Sequence, residues 1–104
     1  MYAVVYTFEV KDNREDDFIN HWSDLTSLIY KYCGSLGSRL HKENDRKFVA
    51  YALWPDREIF ETASEKLPEE ANQVSLAMKS CCADVTTLKV GDIVSDLIKN
   101  SVGK

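Results

Sequence analysis

The sequence predicts an α+β sandwich in which helices cover one face of an antiparallel sheet, in the order β-α-β-β-α-β. Three observations carry this. Residues 2–10 and 47–54 are dense in β-branched and aromatic side chains, the composition of strands. Between them Phe18, Trp22, Leu25, Ile29 and Tyr32 recur at steps of four and three, one stripe of an amphipathic helix. That stripe stops at Gly34, a residue suited to the left-handed conformation that closes a helix.

Tyr2 to Val10 reads as the first strand. Its even positions (Tyr2, Val4, Tyr6, Phe8, Val10) are apolar throughout, and Ala3 and Val5 extend apolar character to the other face. Lys11-Asp12-Asn13 breaks the strand, and Asp12 or Asn13 is expected to cap the helix before its acidic first turn. A second strand is expected from Leu36 to Lys42, a polar hairpin turn over Glu43-Asn44-Asp45-Arg46, and a third strand from Lys47 to Leu53 or Trp54. A helical region follows Pro55, with Ile59, Phe60, Ala63 and Leu67 facing inward. Pro68 ends it and suits the first turn of the next helix, where its missing N–H costs nothing. Ala71, Val74, Met78 and Cys81 form that helix's apolar stripe, and Asp84 to Val90 reads as the last strand. Ile93 to Val102 is expected as a strand extension or short helix, with Gly103-Lys104 fraying. With no linker, repeat or low-complexity segment, residues 1–104 read as one domain.

Composition excludes several classes. A net charge of -4 with scattered basic residues argues against a nucleic-acid surface. No apolar run reaches the roughly 20 residues of a membrane span, and no leader precedes the first strand, so a cytoplasmic protein is expected. Cys33, Cys81 and Cys82 have no metal-ligand spacing, and adjacent cysteines are poorly placed for an ordinary disulfide. They read as reduced thiols, buried or half-exposed, with a redox or nucleophilic role for Cys81 or Cys82 as the alternative, though nothing near them in sequence supplies an obvious base.

The third strand does not alternate apolar and polar. Val49, Tyr51 and Leu53 occupy one face, and Phe48, Ala50, Ala52 and Trp54 the other. Helices cover only one face of such a sheet, so the second is expected to meet the sheet of another copy. A homodimer follows from this reading.

Several side chains are candidates for chemistry. Trp54 and Trp22 offer flat surfaces for an aromatic ligand, and either could instead fill the core. Tyr6 and Tyr51 carry hydroxyls able to donate to an enolate oxygen. Arg39 and His41 share a strand face, where one is suited to hold an anion and the other to accept a proton. His21 lies one residue off the apolar stripe and reads as a boundary residue. Paired carboxylates, a Ser-His-Asp arrangement and a phosphate-cradling glycine loop are all missing from the sequence.

Phe18 and Trp22, the run Gly34-Ser35-Leu36-Gly37-Ser38-Arg39-Leu40-His41, and Phe48-Val49-Ala50-Tyr51-Ala52-Leu53-Trp54-Pro55 carry a resemblance over nearly the whole chain. In these residues the chain resembles the antibiotic biosynthesis monooxygenase family of the dimeric α/β-barrel superfamily. The resemblance implies a ferredoxin-like sandwich whose sheets pair in a dimer. It implies a pocket between sheet and helices for a small aromatic or hydrophobic, polyketide-like molecule, oxidised by O2 with neither flavin nor metal. Transferred to this chain, Tyr6, Trp22, Trp54 and Phe60 would bind substrate, and Arg39, His41 and Tyr51 would generate or stabilise its anion. A non-catalytic small-molecule-binding or stress-related domain is the alternative. It draws on two departures: the family's amide four residues before the tryptophan is Ala50 here, and its hydroxyl aromatic six residues after is Phe60. A haem-degrading branch of the fold needs a histidine after the tryptophan, and this chain has only His21 and His41.

Overall fold

The structure, a computed structural model, describes residues 1–98. Four strands form one antiparallel sheet: β1 (Tyr2–Val10), β2 (Gly37–Lys42), β3 (Lys47–Trp54) and β4 (Cys82–Asp92), in the order β2-β3-β1-β4. Helix α1 (Glu15–Cys33) follows β1, and α2 (Arg57–Glu61), a 3-10 turn (Ala63–Lys66) and α3 (Glu69–Ser80) lie between β3 and β4. This is the expected ferredoxin-like α+β order.

Alternation along the central strands sets the layers. Tyr2, Val4, Phe8, Val10, Phe48, Ala50, Ala52 and Trp54 are buried under the helices. Ala3, Val5, Val49 and Leu53 stay half-buried on the outer face, which no helix of the described residues covers. Phe18 is the centre of the helix–sheet contact: fully buried, its ring lies 5.0 Å from Phe8 and 5.2 Å from Phe48. Burying such a side chain contributes roughly 1.5–3 kcal/mol.

The element ends differ from expectation where neighbours override local preference. Neither Asp12 nor Asn13 caps α1. Asn13 instead takes a left-handed conformation (φ 62°), and the helix opens at Arg14 without a side-chain cap, its first turn holding Glu15, Asp16 and Asp17. Asparagine tolerates this region better than most residues. Gly34 closes α1 at φ 77°, as expected. Tyr32 is exposed, and the adjacent Cys33 is buried in its place, its thiol donating to the Ala63 carbonyl at 3.3 Å. The last strand is longer than the segment from Asp84 to Val90. Its bounds are set by β1, which pairs Val10 with Cys82 at one end and Tyr2 with Asp92 at the other. A ladder of this length holds weak strand formers such as Gly91 and Asp92 in place. Beyond Asp92, Ile93 donates its N–H to the Met1 carbonyl at 2.8 Å, and residues 93–98 form neither strand nor helix. The rest of the expected tail, and the expected fraying of Gly103-Lys104, lie outside the described residues.

Candidate functional site

Two apolar clusters form the core, and Tyr6 packs against both. One gathers Phe8, Phe18, Phe48 and Met78; the other gathers Tyr2, Val4, Cys33 and Trp54. Between them, the inward positions of β3 are Ala50 and Ala52, too small to fill the space between the sheet and α1. The result is a cleft of about 210 Å³. Its floor is Tyr6, Phe8, Ala50, Ala52 and Trp54. Trp22, Leu25 and Ile29 of α1 form one wall, and Ser75, Met78 and Lys79 of α3, with Val85 of β4, form another.

Trp54 is 4% exposed, and its indole N–H is buried without a hydrogen-bond partner among the described residues. Leaving such a donor unsatisfied costs about 1–3 kcal/mol, and an unpaired buried donor is uncommon enough to need a reason. Burial raises the pKa of Tyr6 above that of a free tyrosine, so its hydroxyl stays protonated and is a donor across the physiological range. Ser35 and Ser38, also in the lining, serve the backbone: Ser35 Oγ accepts from Gly37 N at 3.0 Å, and Ser38 Oγ donates to the Tyr51 carbonyl at 3.1 Å. Among the described residues neither carboxylate nor histidine lines the cleft, and Lys79 is its one charged residue.

Of the residues singled out in the sequence, Tyr6, Trp22 and Trp54 come together here. Phe60 does not line the cleft. It packs behind it, 5.4 Å from the Trp54 ring and 5.6 Å from Tyr2. Arg39, His41 and Tyr51 are not brought to the cleft. Tyr51 pairs with Arg39 on β2 and with Val5 on β1, all on the outer face, and His41 pairs with Val49 on the same side. A strand separates residues three apart onto opposite faces, so Tyr51 and Trp54 face away from each other. Arg39 and His41 do border a shallow depression along the β2 edge, with Ile19 and Trp22. Ser75 and Lys79 escaped the sequence reading. Their signal was there: polar residues four apart, beside the apolar stripe of α3.

A wider depression of about 750 Å³ is lined by Asp12, Asn13, Glu15, Asp16, Asp45 and Arg46. All are exposed except half-buried Glu15, which pairs with Lys42 at 3.0 Å, so it reads as a solvated rim. The three cysteines are free and buried. Burial, reinforced by Cys81, pushes the Cys82 thiol up to about 11, and burial also raises Cys33. Thiols held protonated in this way are poor nucleophiles. Among the described residues no group of three or more His, Cys, Asp or Glu could hold a metal ion, and no helix is long and apolar enough to cross a membrane.

The fold is similar to that of a mutant of SnoaB, a cofactor-independent oxygenase from Streptomyces nogalater. The TM-score is 0.77 at 17% identity, over 94% of this chain and 97% of that one. An antibiotic biosynthesis monooxygenase structure is similar at TM-score 0.72 and 18% identity, over 91% of this chain and 100% of the other. A conserved protein from Methanosarcina mazei Go1 is similar at TM-score 0.68 and 16% identity, over 86% and 87%. At these identities the likeness carries the fold alone. A comparison with curated proteins gave no match. The family model described as antibiotic biosynthesis monooxygenase matches residues 1–66, which span β1, α1, the β2–β3 hairpin and Trp54, and the chain belongs to that family.

Proposed function

We propose that the chain binds a small aromatic molecule in the cleft and oxidises it with O2, as a cofactor-independent monooxygenase-like protein. The observation that carries this reading is an apolar cleft whose floor sets the Tyr6 hydroxyl, kept protonated by burial, beside the flat ring of Trp54. An electron-rich phenol or quinol in the cleft loses a proton, and its anion gives two electrons to O2, forming a C–O bond and, with a proton from solvent, a carbon-bound hydroperoxide. The O–O bond then breaks as the C–H proton at that carbon is lost, giving a ring carbonyl and water, so that the substrate supplies four electrons in all. An uncharged donor such as the Tyr6 hydroxyl favours the delocalised oxyanion without trapping it as a tight ion pair, and apolar walls keep water from quenching the intermediates. With neither carboxylate nor histidine in the lining, the first proton passes to solvent at the mouth.

In this reading two copies pair through their outer sheet faces. Arg39, His41 and Tyr51 then serve that interface, on the face opposite the cleft. Three free thiols are in keeping with a reducing compartment, and we place the chain in the cytoplasm. The test is oxygen consumption by chelator-treated protein across a panel of phenols and quinols. The expected result is uptake above the spontaneous rate with at least one of them, lowered by Trp54→Phe. Uptake no faster than in protein-free controls across the panel would overturn catalysis.

A second reading, a dimeric binding domain without turnover, is favoured by Ala50 and Phe60, which supply no polar group where the family's amide and hydroxyl would stand. It predicts a ligand-dependent rise in melting temperature with no oxygen consumed.

A further inference from the structure

Among the described residues Lys79 is the one charged residue lining the cleft, and it has no ion-pair partner there. A lysine in the last turn of a helix ordinarily complements the helix dipole, and that role alone requires nothing from the cavity. Its position argues for more. Ser75, one turn earlier on α3, and Val85 of β4 share this part of the lining, and Val85 pairs with Phe8, two residues along the same face from Tyr6. Trp54 lies at the far end of β1, paired with Tyr2. The cleft is therefore polar but uncharged at the Trp54 end and cationic at the α3–β4 end.

Size adds a second limit. Sites for drug-sized ligands typically measure about 300–1,000 Å³, and this cleft holds about 210 Å³. The floor beneath it is a packed sheet whose central strand is buried at Val4, Phe8 and Val10. At that volume the cleft encloses one or two fused rings, and a third would project toward its open mouth.

We infer that the molecule bound in the cleft is a one- or two-ring phenol carrying a carboxylate or similar anionic group, its ring beside Tyr6 and its anion at Lys79. This rests on the proposed small-molecule function of the cleft and narrows it to a substrate class. The anion stays at the wet mouth, where a lysine interacts without being stripped of water, so recognition is modest and weakened by salt. The electron-rich ring reaches the apolar interior.

The test uses intrinsic fluorescence, because the only two tryptophans of the chain, Trp22 and Trp54, both line the cleft. The full chain is titrated with gentisate, with hydroquinone (the same ring without the carboxylate), and with 1,8-dihydroxyanthrone (three fused rings). Lys79→Met serves as the variant, since it removes the charge and keeps an apolar stem. The expected result is quenching by both small phenols, gentisate binding roughly fivefold tighter, and the gentisate-to-hydroquinone affinity ratio falling to about one in Lys79→Met. The tricyclic compound should bind weakest. Equal affinities for gentisate and hydroquinone, or an advantage that survives Lys79→Met, would overturn the role of Lys79 and leave the cleft reading standing. Tightest binding by the tricycle would overturn the size limit. If none of the three quenches, the cleft reading fails and this inference fails with it.

Discussion

Trp54 and Phe60 meet edge to face, ring centroids 5.4 Å apart at 65°, while the indole N–H of Trp54 remains buried without an acceptor. The aromatic contact belongs to the core. The unmatched donor adds nothing to that contact, and an apolar ring would serve the packing as well. The two properties of one side chain are separable by mutation.

Trp54→Phe keeps a ring against Phe60 and removes the orphan N–H. Stability should change little, within about 1.5 kcal/mol, because the lost packing is offset by relief of an unsatisfied donor. Ligand affinity or oxygen uptake should fall about tenfold. Thermal melts and fluorescence titration on the same preparation separate the effects, and a fall in both together would mark Trp54 as packing alone.

Because neither carboxylate nor histidine lines the cleft, oxidation should follow the ionisation of the substrate, not that of a protein group. Rates measured with two quinols of different acidity should rise with pH along two displaced curves. Tyr6→Phe should lower both, about tenfold for loss of one donor, without moving either midpoint. One midpoint common to both substrates would point to a protein base and sink this account.

Phe18 joins α1 to β1 and β3 through Phe8 and Phe48. Phe18→Ala should cost about 3–5 kcal/mol, enough at this chain length to lower Tm by well over 10 °C. Urea unfolding is the direct measure. A loss below 1 kcal/mol would mean the helix layer does not depend on this contact.

Cys82 titrates near 11 in the folded chain because it is buried, with Cys81 adding to the effect. The unfolded thiol ionises at lower pH and releases its proton first. Stability from this group is therefore intact below about pH 9 and falls as pH rises toward 11, and the raised pKa of Tyr6 acts in the same direction at higher pH. Chemical unfolding at pH 8, 9.5 and 10.5 should show that decline, and Cys82→Ala should flatten it between the first two points. Native thiols should also react slowly with alkylating reagents at pH 8 and quickly once unfolded.

On the outer face, Tyr51 stands across from Val5 with no helix above them. If that face joins two copies, Tyr51→Glu should shift the mass by light scattering from about twice 11.9 kDa to 11.9 kDa, while Tyr51→Phe retains turnover. A wild-type mass of 11.9 kDa at micromolar concentration would remove the dimer.

What the sequence alone determined is local. The stripe from Phe18 to Ile29, the stop at Gly34, the polar hairpin at Glu43–Arg46 and the two-faced apolar character of β3 each follow from spacing and residue type within one segment. Alternation even separates Tyr51 from Trp54 before any coordinates exist. Which of those faces the helices cover is a tertiary matter, and it decided that Trp54 lines a cleft while Tyr51, Arg39 and His41 face outward. The ends of β4 were likewise set by pairing with β1, because a ladder holds residues such as Gly91 that have little intrinsic preference for a strand. The cleft depends on tertiary structure most of all. Ala50 and Ala52 are small in any sequence, but whether the space above them is filled or open depends on how far α1 and α3 stand from the sheet, and bulky residues elsewhere in the core, Phe18 above all, fix that distance.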